Sequence, residues 1–244
     1  MKKIVVQKYG GSSLSTIGKV KKVAKKIVAR FKEGNQIVVV LSAMGNETDR
    51  LLKLAHQISP SPDKRELDML ASTGEQVSIA LLAMAIHAFG NQAISFTARH
   101  AGILTDGIYT RARLIKIDSQ KIEKTLNLGK IVIVAGFQGI NHHDEVTTLG
   151  RGGSDLTAVA LAVQLKADLC EIYTDVDGVY SANPKLISEA QRIPKISYDE
   201  MSEMAALGAQ VMHHRAIDLA RKYHLPILVK STFGSNKGTM ITKE

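Results

Sequence analysis

Residues 3–43 read KIVVQKYGGSSLSTIGKVKKVAKKIVARFKEGNQIVVVLSA, and their order decides the fold. Residues 3–8 are a short apolar run that predicts a strand. Over residues 15–32, Val20, Val23, Ala24, Ile27, Val28 and Phe31 fall at helical spacing. Lys19, Lys21, Lys22, Lys25, Lys26, Arg30 and Lys32 surround them, which predicts an amphipathic helix with a wet basic face. Residues 36–43 are a second, almost wholly apolar run and predict a buried strand. Strand, helix and buried strand in this order imply a parallel sheet with helices packed on its faces.

The same alternation continues outward. Helices are predicted over about 48–58 and 66–89, strands over 92–97 and 113–117, a helix near 119–127 and a strongly apolar strand over 130–137. A polar, glycine-rich loop fills 141–153. The helix over 154–166 is apolar almost all round and should be covered on both sides. A strand over 168–174, helices over 199–206 and 210–223, and closing strands over 226–231 and 239–242 complete the pattern. The expected architecture is α/β, a three-layer αβα sandwich with a mostly parallel central sheet. No repeat or linker divides the chain, so one domain over 1–244 is expected, with ligands at the carboxyl ends of the strands.

The net charge of +9 invites a nucleic-acid reading. Much of the excess belongs to the solvated face of the 15–32 helix, and the absence of Trp removes the best base-stacking surface. The apolar run 77–89 is too short to span a bilayer, and the apolar stretch near the N-terminus is too short for a signal-peptide core. Neither nucleic acid nor membrane is expected as a partner. The lone Cys170 excludes a disulfide within the chain and suits a reducing cytoplasm.

Three glycine-containing loops carry the chemistry. Lys8-Tyr9-Gly10-Gly11-Ser12-Ser13 lies between a strand and a helix, where paired glycines let backbone N–H groups approach a phosphate or simply make a tight turn. Thr147 to Asp155 contains Gly150, Gly152 and Gly153, a backbone nest for an anion. Within it Ser154 is placed to cap the next helix and Arg151 to grip a carboxylate. Asp155 either complements the helix dipole or holds a lysine or Mg²⁺. Thr174, Asp175, Asp177, Gly178 and Tyr180, with Asn183-Pro184-Lys185 behind them, form either an adenosine cradle or an ordinary Asp-Gly turn. The sequence contains neither the P-loop pattern nor the glycine, His-Arg-Asp and Asp-Phe-Gly signatures of protein kinases.

Taken together and in order, six segments resemble the catalytic domains of aspartate kinases, within the amino acid kinase family. They are Val6 to Ser13, Val39 to Gly45, Thr73-Gly74-Glu75, Val134 to Gly139, Thr147 to Asp155 and Thr174 to Tyr180. The resemblance implies transfer of the ATP γ-phosphoryl group to the side-chain carboxylate of L-aspartate, with Mg²⁺ as cofactor and no dedicated protein metal site. It implies that Lys8, Gly10, Gly11 and Ser12 hold the ATP phosphates and that Lys8 and Asp155 are catalytic. Glu75 would pair with the α-ammonium of aspartate and Arg151 with a carboxylate. Ser42 and Thr48 would face the cleft, and Gly152, Gly153 and Ser154 would line the gap to the γ-phosphate. Thr174, Asp175, Tyr180 and Lys185 would contact the nucleotide. A homodimer is implied as well.

The sequence departs from that family in places. Ala98-Arg99-His100 stand where Gly-x-Gln is usual, His213-His214-Arg215 where His-Pro-Arg is usual, and Gln210 where lysine is common. The sequence also stops at Glu244, where the family normally continues into a ligand-sensing regulatory region. Feedback control is therefore not carried over, and any regulation is expected from a separate chain or from how much enzyme is made. The histidine pairs 142–143 and 213–214 lack partners at metal-ligand spacing. Lys230 either reaches the nucleotide or is solvated on an edge strand. Other acceptors of the same fold, a non-catalytic subunit and a nucleic-acid binder are the alternatives.

Overall fold

The computed structural model describes residues 2–183, 186–208, 211–234 and 237–243, so Lys185 and Gln210 lie outside the described residues. The first half runs β1 (Ile4–Tyr9), α1 (Gly11–Leu14), α2 (Ile17–Lys32), β2 (Gln36–Leu41), α3 (Glu47–Ile58), α4 (Lys64–Ala88), β3 (Ala93–Phe96), β4 (Ile103–Thr105), β5 (Leu114–Ile117) and α5 (Gln120–Asn127). The second runs β6 (Ile131–Ala135), β7 (Gln138–Ile140), β8 (Val146–Thr148), α6 (Gly153–Gln164), β9 (Leu169–Thr174), β10 (Lys195–Ser197), α7 (Tyr198–Ala206), α8 (His214–Tyr223), β11 (Ile227–Ser231) and β12 (Thr239–Thr242).

Eight strands make the main sheet in the order β10-β12-β11-β9-β1-β2-β6-β3. Every pairing from β11 to β3 is parallel, while β12 runs antiparallel to β11. β1 is central, with Lys8 in register with Val40 on one side and Ile172 on the other. The alternation of β1 then sorts its side chains. Val5 and Tyr9 join α2 and α4 in one core layer. Val6 faces the other layer, which α5, α6, α7 and α8 cover. The expected three-layer αβα arrangement is present, and α6 is buried almost all round.

The short elements differ from expectation. β4, β5, β7 and β8 form a separate four-stranded sheet, order β5-β4-β7-β8, which the sequence reading reduced to one strand and a loop. Three of its strands are three residues long, too short for any periodicity to register. Lys230 is not on an edge, because β11 lies between β9 and β12. Its ammonium lies 3.6 Å from Glu171, a buried carboxylate that also takes a 2.6 Å hydrogen bond from Gln7 Nε2. Above this network Tyr9 and Tyr173 stack with centroids 4.4 Å apart.

α4 is the one helix among the described residues long and apolar enough to cross a bilayer, although only its distal half was legible as an apolar run. Its inner face instead joins the core through Ile79, Leu82, Ala83 and Ile86. Asp68, Ser72, Glu75 and Ser78 continue that buried face as a polar stripe. α8 begins at His214, with His213 as its N-cap. His214 is exposed at the first helical position, which proline favours, so the departure from proline leaves the helix start intact. Arg99 and His100 engage Asp144 and Thr97 at the surface.

Leu82 is fully buried between α4 and the sheet. Leu82→Ala should lower unfolding free energy by about 2–5 kcal/mol, read as a shifted urea midpoint. A loss below about 1 kcal/mol would mean that the α4–sheet layer is not closely packed there.

Candidate active site

The carboxyl ends of β1, β2 and β6 open onto one cleft of about 220 Å³. Lys8, Ser42, Thr48, Glu75, Phe137, Gly150, Arg151, Gly152, Gly153, Ser154 and Asp155 line it. Every residue anticipated on the acceptor side is therefore in one cavity, together with Lys8 and Asp155.

Lys8 reaches this cleft because strand alternation turns it away from Tyr9 and toward α6. Its ammonium stands 2.7 Å from Asp155 Oδ1. The ammonium has three donors and Asp155 engages one side of it, so Lys8 keeps donors for another anion. The same ammonium lies beside Gly10, which joins the first glycine loop to the cleft.

Glu75 is held in the wall by α4. Gly74 makes this possible, since a Cβ there would fall 2.8 Å from Ala43 Cβ. The bare helix surface thus closes on the segment after β2, and Ala43 N–H donates to Glu75 Oε1 at 2.9 Å. Glu75 is 2% exposed, and its Oε2 is buried without a partner. Burial pushes the carboxyl up to about 7, opposed by the Ala43 N–H. A buried carboxylate with one unsatisfied oxygen, in the wall of a cleft, suits a cation.

α6 supplies the opposite wall. Its N-cap is Gly152, with no side-chain cap, so Ser154 lies inside the helix and does not cap it as expected. Gly153 N–H donates back to Gly150 O at 3.0 Å, so the N–H groups of Ser154 and Asp155 are the ones left for an anion. Arg151 is exposed at the mouth.

Gly11 and Ser12 begin α1 outside the cleft lining, and Ser12 O takes a hydrogen bond from Lys19. The residues expected on the nucleotide side are placed apart from this cleft. Thr174 ends β9, with its hydroxyl bonded to exposed Asp175, and Tyr180 pairs with Arg192 in a lone bridge. Thr232, which sequence reasoning missed, connects the two groups. It shares a 2.6 Å hydrogen bond with Ser13 and donates its N–H to Thr174 O at 2.9 Å.

Two more residues escaped the sequence. Phe137 lines the cleft with φ of +69°, strained for a bulky residue, and its carbonyl accepts from Leu149 N–H at 2.8 Å. Asp68, two helical turns before Glu75 on the same face, accepts from Thr110 N–H and Thr148 N–H at 2.8 Å each, and from the Thr148 hydroxyl. It ties the helix bearing Glu75 to the strand leading into the Arg151 loop. The signal was present as the polar stripe at residues 68, 72, 75 and 78 of an otherwise apolar helix face.

Among the described residues no group of three or more His, Cys, Asp or Glu side chains is placed to hold a metal ion. A divalent cation here would be held chiefly by ligand phosphates, as Mg²⁺ commonly is.

The model of the amino acid kinase family matches residues 3–231. An aspartokinase of Bacillus sp. (strain MGA3) is 52% identical over 241 residues, which cover 99% of this chain and 59% of that protein. The chain thus spans about three-fifths of the length of the curated relatives it matches. The crystal structure of aspartate kinase from Synechocystis superposes with a TM-score of 0.89 at 48% identity, covering 99% of this chain and 40% of that one. E. coli aspartokinase III in complex with aspartate and ADP superposes with a TM-score of 0.90 at 27% identity, covering 99% of this chain and 65% of that one.

The raised Glu75 carboxyl makes stability depend on pH. Between the ordinary value of 4.5 and about 7 the folded state holds a proton that the unfolded state has lost. Stability should therefore fall as pH rises through that window, by about 3 kcal/mol in total. Glu75→Gln removes the ionisation, so its urea midpoint should gain on wild type between about pH 5 and 8. Parallel pH profiles for the two proteins would contradict the burial of a titrating carboxyl.

Proposed function

The chain belongs to the amino acid kinase family, and on that premise we propose that it phosphorylates the side-chain carboxylate of L-aspartate with ATP, giving 4-phospho-L-aspartate and ADP. The observation that carries this reading is the unpartnered Glu75 Oε2 in the cleft that also holds Arg151, Lys8 and Asp155. An acceptor with an ammonium and two carboxylates can meet Glu75 with the first and Arg151 with one of the second, leaving the other carboxylate to face Lys8 and the phosphoryl group. The aspartate and ADP bound to the E. coli relative support the same choice.

The acceptor carboxylate is ionised at neutral pH, so no general base is required. One of its oxygens bonds to the γ-phosphorus as the bond to the β–γ bridging oxygen breaks, and ADP carries away the electron pair. What this chain supplies is alignment and charge. Glu75 holds the ammonium, Arg151 the α-carboxylate, and Ser42 and Thr48 the rest of the acceptor. Gly152, Gly153 and Ser154 line the gap to the γ-phosphate, with the Ser154 N–H at the start of α6 available to it. Lys8, steered by Asp155, offsets charge on the transferred group, with Gly10, Gly11 and Ser12 beside it. Thr174, Asp175 and Tyr180 hold the nucleoside end, and Lys185 is assigned there from sequence alone. Mg²⁺, held by the phosphates of ATP, would neutralise part of their charge.

With a single buried thiol, Cys170, the chain suits the cytoplasm. The product would feed lysine, threonine and methionine biosynthesis. Kinases of this fold that take N-acetylated acids, carbamate, glutamate or UMP are the second reading. N-acylation removes the ammonium that Glu75 would pair with, so Glu75 favours a free amino acid.

Acyl phosphate trapped as hydroxamate, with ADP release, should appear with L-aspartate and not with N-acetylglutamate. Preference for the N-acylated acid would overturn the reading. Lys8→Met should lower kcat by about a hundredfold or more, and kcat within about threefold of wild type would remove Lys8 from that role. Arg151→Lys should raise KM for aspartate at least about tenfold with little change in KM for ATP. Equal damage to both constants would point to a folding role instead.

A further inference from the structure

The turn that carries Arg151 has a back as well as a front. Gly150 and Gly152 hold left-handed backbone, with φ of +71° and +72°, and Gly153 begins the right-handed helix α6. Alternation of left- and right-handed residues turns N–H groups toward one side and carbonyls toward the other. The front faces the cleft. On the back stands the start of α8. Arg215 Nη2 donates to Leu149 O and to Arg151 O, both at 2.8 Å, and so bridges the carbonyls that flank Gly150.

His213 closes the same side. A Cβ on Gly152 would fall 2.3 Å from His213 Cβ and 2.4 Å from Cγ, so that side chain packs directly on the turn. Burial, then His214 and Arg215, lower the His213 imidazole below its ordinary value. Its neutral Nδ1 accepts from Arg215 N–H at 3.3 Å, capping α8 and setting the stem of Arg215. Neither Arg215 nor His213 lines the cleft.

We propose that Arg215 is a positioning residue for the acceptor: by bridging the Leu149 and Arg151 carbonyls it fixes the turn that presents Arg151 and the α6 amides to the cleft. Asp68 holds the same segment from the α4 side through Thr148, so the turn is gripped at both ends. One guanidinium nitrogen satisfies two carbonyls that would otherwise be free to rotate their peptide planes. Those planes carry the N–H groups of Gly150 and Gly152, the residues that lead into α6, so releasing the carbonyls loosens the turn that sets Arg151 and the first amides of α6. Arg215 thus acts through Arg151 and the amides, without touching the acceptor.

The test has two arms, of which only the kinetic one rests on the aspartate reading. In Arg215→Met, hydrogen exchange should quicken at least about tenfold in the peptide covering residues 149–155 and stay unchanged in 36–41. KM for aspartate should rise at least about tenfold, with KM for ATP within about twofold of wild type. Arg215→Lys, which keeps a cation but loses the planar guanidinium fork, should shift both readouts the same way by less, and it stands in if the Met variant does not fold. Unchanged exchange across 149–155, or equal rises in both KM values, overturns the inference. Wild-type protein that never releases ADP with aspartate defeats the functional reading instead, and the exchange arm then decides the role of Arg215.

Discussion

A carboxylate sealed from water with one oxygen unpaired is costly to keep, and Glu75 is such a group. Folding alone gives no reason for it, since glutamine would fill the same space at lower electrostatic cost. The surroundings are arranged to keep it there. Gly74 lets α4 close on the segment after β2, Ala43 N–H fixes one oxygen, and Asp68 anchors the helix two turns earlier. A cationic ligand would repay this cost on binding. The cleft is thus a place where the fold stores electrostatic cost that a cationic ligand would relieve.

The remaining charges follow from the same cleft. Two anions must approach each other for phosphoryl transfer, and water would screen but not align them. Lys8 at the end of the central strand, the uncapped start of α6 and Arg151 at the mouth form a positive arc opposite Glu75. The parallel sheet sets that arc, because it brings the carboxyl ends of β1, β2 and β6 to one edge. Nothing in the arc requires proton transfer, which fits an acceptor that is already ionised.

Much of this was legible in the sequence, for a physical reason. The apolar runs of β1, β2, β6 and β9 and the amphipathic pattern of α2 are long enough for periodicity to identify them. Lys8 and Ser42 stand at or directly after such strands, so their meeting followed from the topology, whereas Thr48 and Glu75 lie in α3 and α4 and the Arg151 loop follows the short β8, and only the family resemblance brought these to the site. What escaped depends on distant contacts. β4, β7 and β8 are three residues each and exist only by pairing with one another. Ser154 looked like a cap because its type favours that position, yet the left-handed Gly152 takes it. Lys230 read as an edge residue because sequence order does not show that β12 turns back beside β11. The strained Phe137 and the Arg215 bridge to a loop more than sixty residues earlier leave no local signal.

Proton exchange on acceptor binding tests the central role of Glu75 most directly. Below its raised value the Glu75 carboxyl is protonated in the ligand-free protein, and an incoming ammonium should drive the proton off. Calorimetric titration with L-aspartate, in buffers of differing ionisation enthalpy, reads that proton. Near about pH 6 binding should release close to one proton, and near about pH 8.5 almost none. At saturating aspartate the Glu75→Gln variant should release none at either pH. Binding without proton release near pH 6, or the same release from the glutamine variant, would contradict the pairing of Glu75 with the acceptor ammonium.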